Sequence, residues 1–308
     1  MPLKNDSFPA RTMPAPLTPM GSLPTSASSV APVQAMQKLY DSYFASHDYA
    51  RRYPVPNPAT LRFLMEQGHA ARAAAILDVG CGDGRYALAL LDATQARITG
   101  CDISSAALEE FASRLQLRLD EHRVCLVHGQ AQDIALINAD GADTRHDLSL
   151  LLFGVLSHAG EQPARIAMLK AIAQQTKPDG LLLLTVPSIL RRRPLEIIRA
   201  VWRKLTASKL QHEQMGDIEF ARVIAGEKQE FFYHLYSVSD LKRDLALSGW
   251  ELQSTEAESL LPEWLITQHA WIARLDGLIR PLLPAVLGYG IRAVARLAPQ
   301  NNSNHQGR

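Results

Sequence analysis

The stretch AILDVGCGDGRYALAL, residues 75–90, constrains this chain more than any other. A short apolar run ends on an acid, Asp78, and glycines follow at alternate positions, Gly80, Gly82 and Gly84. An Ala- and Leu-rich segment then resumes. The pattern predicts a buried strand, a glycine turn and a helix, in that order. The alternation continues downstream. Strands are predicted at 74–79, 97–102, 123–129 and 146–156, and again in LLLLTVP after a PDG turn. Helices fall between them at 84–94, 104–119 (with Ser104 as N-cap) and 163–177. Strands joined by helical crossovers must run parallel, and a parallel sheet is covered on both faces.

The flanks read differently. The first 33 residues hold seven prolines and three charged residues and predict a disordered tail. They lack the apolar core of a signal peptide, and only Lys4 and Arg11 are basic, which gives a transit peptide little support. A tyrosine-rich helix is expected at 34–46, with Met36, Leu39, Tyr40 and Tyr43 on one face. The prolines of YARRYPVPNP then force extended chain before a helix that stops near Gly68. After Pro187 a basic helical insertion covers 187–215. It carries Arg191, Arg192, Arg193, Arg199, Arg203, Lys204 and Lys209 against Glu196 alone, and Ile197, Ile198, Val201, Trp202 and Leu205 give it an apolar side. GDIEFARVI and KQEFFYHLYS predict a hairpin turning at Gly226, followed by a helix capped by Ser237 or Ser239. A strand over ELQSTEAESL, a helix over 262–284 and a last strand in GYGIRAVARL complete a domain spanning 34–298, and the tail from 299 frays.

A net charge of +1 excludes a chain that binds nucleic acid through overall charge. Cys81, Cys101 and Cys125 have no zinc-site spacing and an odd count, so they read as reduced, mostly buried thiols of a cytoplasmic protein. No apolar run reaches the ~18 residues of a membrane span.

The glycine loop lacks the Lys-Ser or Lys-Thr of a phosphate loop, and Arg85 stands where a dinucleotide fingerprint needs its third glycine. What is present is Asp-x-Gly-x-Gly-x-Gly. That string resembles motif I of the class I S-adenosylmethionine-dependent methyltransferases. GCDIS, HGQAQDIAL, HDLSLLLFGVLSHAG, KPDGLLLLTVPS and FFYHLYSVSDLKRDLALSGW resemble the family's later landmarks in order. The resemblance runs from about 36 to 297 and departs from the pattern at Gln130, where the family has an acid. It implies a seven-stranded, mostly parallel, doubly wound sheet with a helical insertion after the fifth strand, and S-adenosyl-L-methionine as cofactor. It implies cofactor contacts from Asp78, Gly80, Gly82, Gly84, Asp102, Ile103, Gln132, Asp133 and Phe153. Asp102 would take the ribose hydroxyls and Asp133 the adenine amino group. The physics is consistent: the cofactor has no phosphate and needs no lysine cradle, glycines let backbone approach it, and a carboxylate accepts two hydroxyls.

Methyl transfer needs alignment and a dry site more than acid–base chemistry, and a base only for a protonated acceptor. His158 follows the fourth strand. Tyr233 and His234 alternate on a strand, so one of them faces inward. These three are the candidate catalytic residues. Arg51 and Arg52 could clamp a carboxylate or an anionic acceptor, beside Tyr43. The leading expectation is transfer to an O or N of a small molecule. One alternative is a tRNA wobble-uridine methyltransferase, whose pattern has counterparts here in Tyr40, Tyr43, Arg51–Pro56, VLSH and FYHLY, with Ser157 in place of a histidine. The other is lipid methylation at a membrane surface, with the basic insertion and LIRPLLPAVLGYG (278–290) as a peripheral patch.

Overall fold

The computed structural model describes residues 30–70, 72–116, 118, 121–134, 143–192, 216–224 and 227–299. The expected tails therefore lie largely outside the described residues, as do 193–215 of the basic insertion and Gly226. Helix α1, Val30–Ala45, begins inside the stretch read as tail. Next come α2 (Asp48–Arg52) and α3 (Pro58–Ala70), then β1 (Ala75–Val79), α4 (Arg85–Ala93), β2 (Arg97–Asp102), α5 (Ser105–Gln116) and β3 (Val124–His128). β4 (His146–Leu151), α6 (Gln162–Gln175), β5 (Thr176–Pro187) and α7 (Ile189–Arg192) follow. The hairpin β6 (Asp217–Ile224) and β7 (Glu227–His234) precedes α8 (Val238–Leu247), β8 (Trp250–Ser259), α9 (Glu263–Gln268), α10 (Ala270–Ile279) and β9 (Gly290–Leu297).

Seven strands form one sheet in the order β3-β2-β1-β4-β5-β9-β8. β9 alone runs antiparallel to its neighbours β5 and β8. The order reverses between β1 and β4, which is where a doubly wound sheet opens a crevice at its carboxyl edge. Period-2 alternation assigns the apolar residues to two faces. Leu77, Val79, Leu182, Leu184 and Val186 pack on one side, with α6 and α8. Ile76, Leu148, Leu150, Leu181 and Leu183 pack on the other, with α3, α4 and α5. A third, smaller cluster joins Leu39, Tyr43, Phe44, Tyr49, Tyr53 and Ala107, seating α1 and α2 over the carboxyl edge.

Four expectations need correction. DYARR is a turn of helix, entered through His47 at φ 57°, and only residues 53–57, with a bend at Val55, lie outside helix before α3. The PDG turn lies within β5: pairing with β4 passes from His146↔Thr176 to Leu148↔Leu181, so the intervening residues bulge out of the ladder. The helix expected over 262–284 breaks at His269, whose backbone is extended, into α9 and α10, and Pro281 and Pro284 then replace its end by two short 3-10 turns. Cys81 and Cys101 are buried, whereas Cys125 is exposed. Ser104 and Ser237 cap their helices as read, each accepting a backbone N–H in the first turn.

Candidate functional site

The carboxyl ends of β1, β2, β4 and β5 meet beneath α1 and α2. Asp78, near the end of β1, is buried, and burial pushes its pKa up to about 7. The Asp102 charge adds to the shift and Arg85 opposes it. Asp102 ends β2 and accepts the Gly82 N–H at 2.8 Å and the Ser104 N–H at 2.9 Å. Burial raises its pKa as well, against the pull of those two donors. Ser104 Oγ donates to Asp41 of α1 at 2.7 Å, which ties the covering helix to the end of β2.

All three loop glycines have positive φ, 72°, 55° and 76° for Gly80, Gly82 and Gly84. Their open sides differ. A Cβ on Gly80 would lie 2.5 Å from Val155, and one on Gly84 2.2 Å from the Phe111 ring. These two glycines are required by the protein's own packing. Gly82 meets only the edge of Phe44, at 3.2 Å, so it is the one glycine of the three whose space a ligand could share with a movable side chain.

Arg85 opens α4 and is buried among rings, 4.7 Å from Phe153, 4.9 Å from Tyr86 and 5.3 Å from Tyr53. Its Nη1 lies 2.8 Å from Glu263 and donates to the Val55 carbonyl at 3.2 Å. Nη2 is buried with no hydrogen-bond partner. Burial acts against its charge, and Glu263 with the surrounding tyrosines outweighs that, so the guanidinium stays cationic.

A cavity opens next to this cluster, between α1, α2, the ends of β4 and β5, β7 and the start of α9. Six of the chain's eight tyrosines line it, Tyr40, Tyr43, Tyr49, Tyr53, Tyr233 and Tyr289, together with Phe153 and Trp264. The polar lining is Arg52, His158, Glu258, Ser259 and Glu263. At its floor Phe153 holds φ 58°, a left-handed conformation that costs a bulky residue on the order of 1–3 kcal/mol. The Phe153 N–H donates to Thr185 Oγ1 at 2.6 Å, and this holds the strained turn.

His158 sits in a 3-10 turn (Val155–His158) with its ring 4.5 Å from Tyr233 and 5.7 Å from Tyr40. Its Nδ1 is 3.0 Å from the Phe232 carbonyl. A carbonyl only accepts, so Nδ1 carries a proton. Tyr233 faces the cavity, and its hydroxyl lies 2.3 Å from where a Cβ on Gly154 would stand. His234 is the residue that alternation turns away. Its Nδ1 pairs with Asp217 at 2.6 Å and its ring packs edge-on to Tyr236, outside the cavity lining. The expectation of a catalytic His234 is therefore corrected: its contacts hold the hairpin.

The other expected residues divide. Tyr43 and Arg52 line the cavity, and Arg52 lies over Tyr53 and Trp264 at 5.7 and 5.6 Å. Arg51 does not reach it: the side chain is exposed and pairs with Asp48 one turn back. Asp133 stands after β3, and one carboxylate oxygen accepts the Gln130 N–H at 2.7 Å in a capping box, which orients the side chain and leaves further acceptor sites. Gln132 beside it is exposed. Ile103 is placed after Asp102, with its carbonyl 3.0 Å from His128 Nε2. Arg85, Glu263, Glu258, Tyr49, Tyr53, Trp264 and Tyr289 were not anticipated. Tyrosines at 40, 43, 49 and 53 were the available signal, since no other part of the sequence is so rich in them. Among the described residues no group of His, Cys, Asp and Glu is placed to hold a metal, and no helix is long and apolar enough to cross a membrane.

Residues 76–180 match the family model of a methyltransferase domain. A ubiquinone biosynthesis O-methyltransferase of Pasteurella multocida (strain Pm70) is 28% identical over 152 residues, which are 47% of this chain and 59% of that protein. The match thus spans less than two thirds of the relative's length. Among solved structures, the CcbJ methyltransferase from Streptomyces caelestis superposes with a TM-score of 0.55 at 15% identity, over 79% of this chain and 91% of that one. A Burkholderia thailandensis 1,6-didemethyltoxoflavin-N1-methyltransferase gives 0.52 at 17% identity, over 91% and 94%. At these identities the likeness is one of fold.

Proposed function

We propose that this chain, which has the class I methyltransferase fold and carries a methyltransferase domain over residues 76–180, moves a methyl group from S-adenosylmethionine to an O or N of a small-molecule acceptor. One observation carries the reading: two buried acids and a buried guanidinium with an orphan nitrogen converge on the glycine loop, beside an aromatic cavity. This set fits that cofactor. Asp78, whose pKa burial raises to about 7, suits an ammonium group, which would favour its ionised form. The unpaired Nη2 of Arg85 suits a carboxylate. Asp102 uses one acceptor site on each oxygen for backbone, which leaves further lone pairs for ribose hydroxyls. Aromatic walls suit a sulfonium.

When bound, the cofactor supplies a methyl carbon already activated for displacement. This chain's residues supply the rest. The rings of Tyr49, Tyr53, Phe153 and Tyr233 exclude water and orient the acceptor between the ends of β4 and β5. His158 Nε2 takes the acceptor's proton, and the Phe232 carbonyl holds the ring in the tautomer that can do so. Arg52 and Glu258 give the cavity one charge of each sign with which to select among acceptors.

The test is calorimetric titration with S-adenosylmethionine and S-adenosylhomocysteine, on wild type and Asp102→Ala. Binding in the roughly micromolar range, weakened ~100-fold in the variant, is expected. Absence of binding to either ligand would overturn the reading. Methyl transfer is then assayed against phenols, amines and tRNA, where labelling of tRNA alone would replace the small-molecule acceptor by the wobble-uridine alternative.

A further inference from the structure

Helix α10 is inside out. Its acid, Asp276, is buried and accepts the Leu260 N–H at 2.6 Å. Arg280, just past its end, turns inward to the Ala257 carbonyl at 3.2 Å and to Glu256 at 3.4 Å. Its leucines point outward. Trp271, Leu278 and Leu282 are 68%, 74% and 81% exposed, and Leu275 and Ile279 join them. Positions 271, 275, 278 and 282 recur at intervals of four, three and four, so they form a single stripe. A helix on a protein surface in water carries its charges outward and its leucines inward. Here Asp276 and Arg280 turn to partners within the protein and the apolar stripe is offered to the outside, with Arg274 beside it. Such a stripe marks an interaction surface rather than scattered exposure.

We propose that this stripe docks the protein on an anionic lipid bilayer. The surface charge favours lipid. From 268 to 289 the exposed residues include no acid, and they do include Arg274 and His269. That pattern, apolar and aromatic with an exposed arginine in it and no exposed acid, is what an interfacial helix presents to anionic headgroups. Trp271 supplies the amphipathic ring that sits at headgroup depth. The segment also frames the cavity, with Trp264 before it and Tyr289 after it in the lining. A consequence that rests on the proposed function is that the acceptor is an amphiphile presented from the lipid phase.

The full chain is floated with vesicles of phosphatidylcholine, with and without phosphatidylglycerol. Wild type is expected to float with the anionic vesicles and to lose most of that binding in high salt. Leu278→Asp with Leu282→Asp is expected to weaken it by about tenfold or more, with S-adenosylhomocysteine binding unchanged as the check on folding. Brominated lipid should quench tryptophan fluorescence in wild type and not in Trp271→Phe. Wild type that stays with the unbound fraction at low salt overturns the proposal. So does a wild-type dimer that the double aspartate variant converts to monomer, because a second copy would then cover the stripe. Failure to bind S-adenosylhomocysteine would remove the methyltransferase reading and leave the flotation result standing.

Discussion

The two sides of the site are built by different means. On the loop side, between β1 and α4, backbone does the work: three positive-φ glycines, an acid near each strand end, and two N–H groups aimed at Asp102. On the cap side almost everything is a side chain, and the rings come from segments at 40–53, 153–158, 233, 264 and 289. The loop is one local motif. The cap exists only after the chain has folded. The contrast teaches where variation can enter: a local backbone loop keeps its geometry when distant segments change, while rings from those segments can be exchanged one by one.

Arg85 breaks that division. Its position belongs to the loop, and its contacts, Glu263 and the rings, belong to the cap. Removing one partner of a buried ion pair leaves the other charge uncompensated, at a cost of about 3–5 kcal/mol. Glu263→Gln is therefore the most damaging change expected, read as a shift in urea midpoint. Arg85→Met combined with Glu263→Leu should recover most of that stability, because an apolar pair of similar volume needs no compensation. It should not recover cofactor binding if Nη2 holds the carboxylate. Recovery of both would confine Arg85 to packing.

Gly84→Ala comes next. It forces a left-handed alanine, about 1–2 kcal/mol, and drives a Cβ to 2.2 Å from Phe111, where overpacking adds about 1–3 kcal/mol. Gly82→Ala carries the same backbone strain with a milder contact, 3.2 Å from Phe44. The first should lower stability most, and the second should lower affinity for S-adenosylhomocysteine most. Equal effects on both readouts would mean that the three glycines share one role.

Much of the loop side was legible because its causes are local. The apolar run of β1, the glycines and Asp102 are read from neighbours in sequence, and the sheet follows from strands alternating with helices. Even there, a glycine's tolerance for φ > 0 is visible in sequence, while Val155 and Phe111 filling the space beside Gly80 and Gly84 are not. The cap resisted for the same reason. Strand alternation says that Tyr233 and His234 face opposite ways, but which faces in depends on the register β7 takes against β6. Arg85 and Glu263 are linked only through the folded sheet. Asp133 shows a related limit: the motif gives its place after β3, and the bond to Gln130 that orients its carboxylate is visible only in the fold.

His158→Ala tests the cap side alone. On the role proposed for His158, kcat for a protonated acceptor should fall on the order of 100-fold, with affinity for S-adenosylmethionine unchanged. His234→Ala should leave kcat within about twofold and lower the melting temperature, since its hydrogen bond to Asp217 ties β7 to β6. Inversion of those two results would reverse the assignment made from strand orientation.

The smallest effect is a pH dependence, and it isolates the loop side. The Asp78 pKa, about 7 in the fold, lies above its ordinary value, so the native state binds more protons than the unfolded chain between about pH 4 and pH 7. Stability from this group is present at low pH and is lost as pH rises through that window. Ligand binding has the opposite sign, because an ammonium favours the ionised carboxylate. Affinity for S-adenosylmethionine should rise about tenfold between about pH 6 and pH 8, following the ionised fraction of Asp78. Binding near pH 6 should release close to one proton, read by calorimetry in two buffers of different ionisation enthalpy. Asp78→Asn should flatten both profiles while leaving Asp102 and the cap intact. A wild-type affinity already flat with pH would mean that Arg85 keeps Asp78 ionised, and the loop would then meet the cofactor's amino group with a charge already in place.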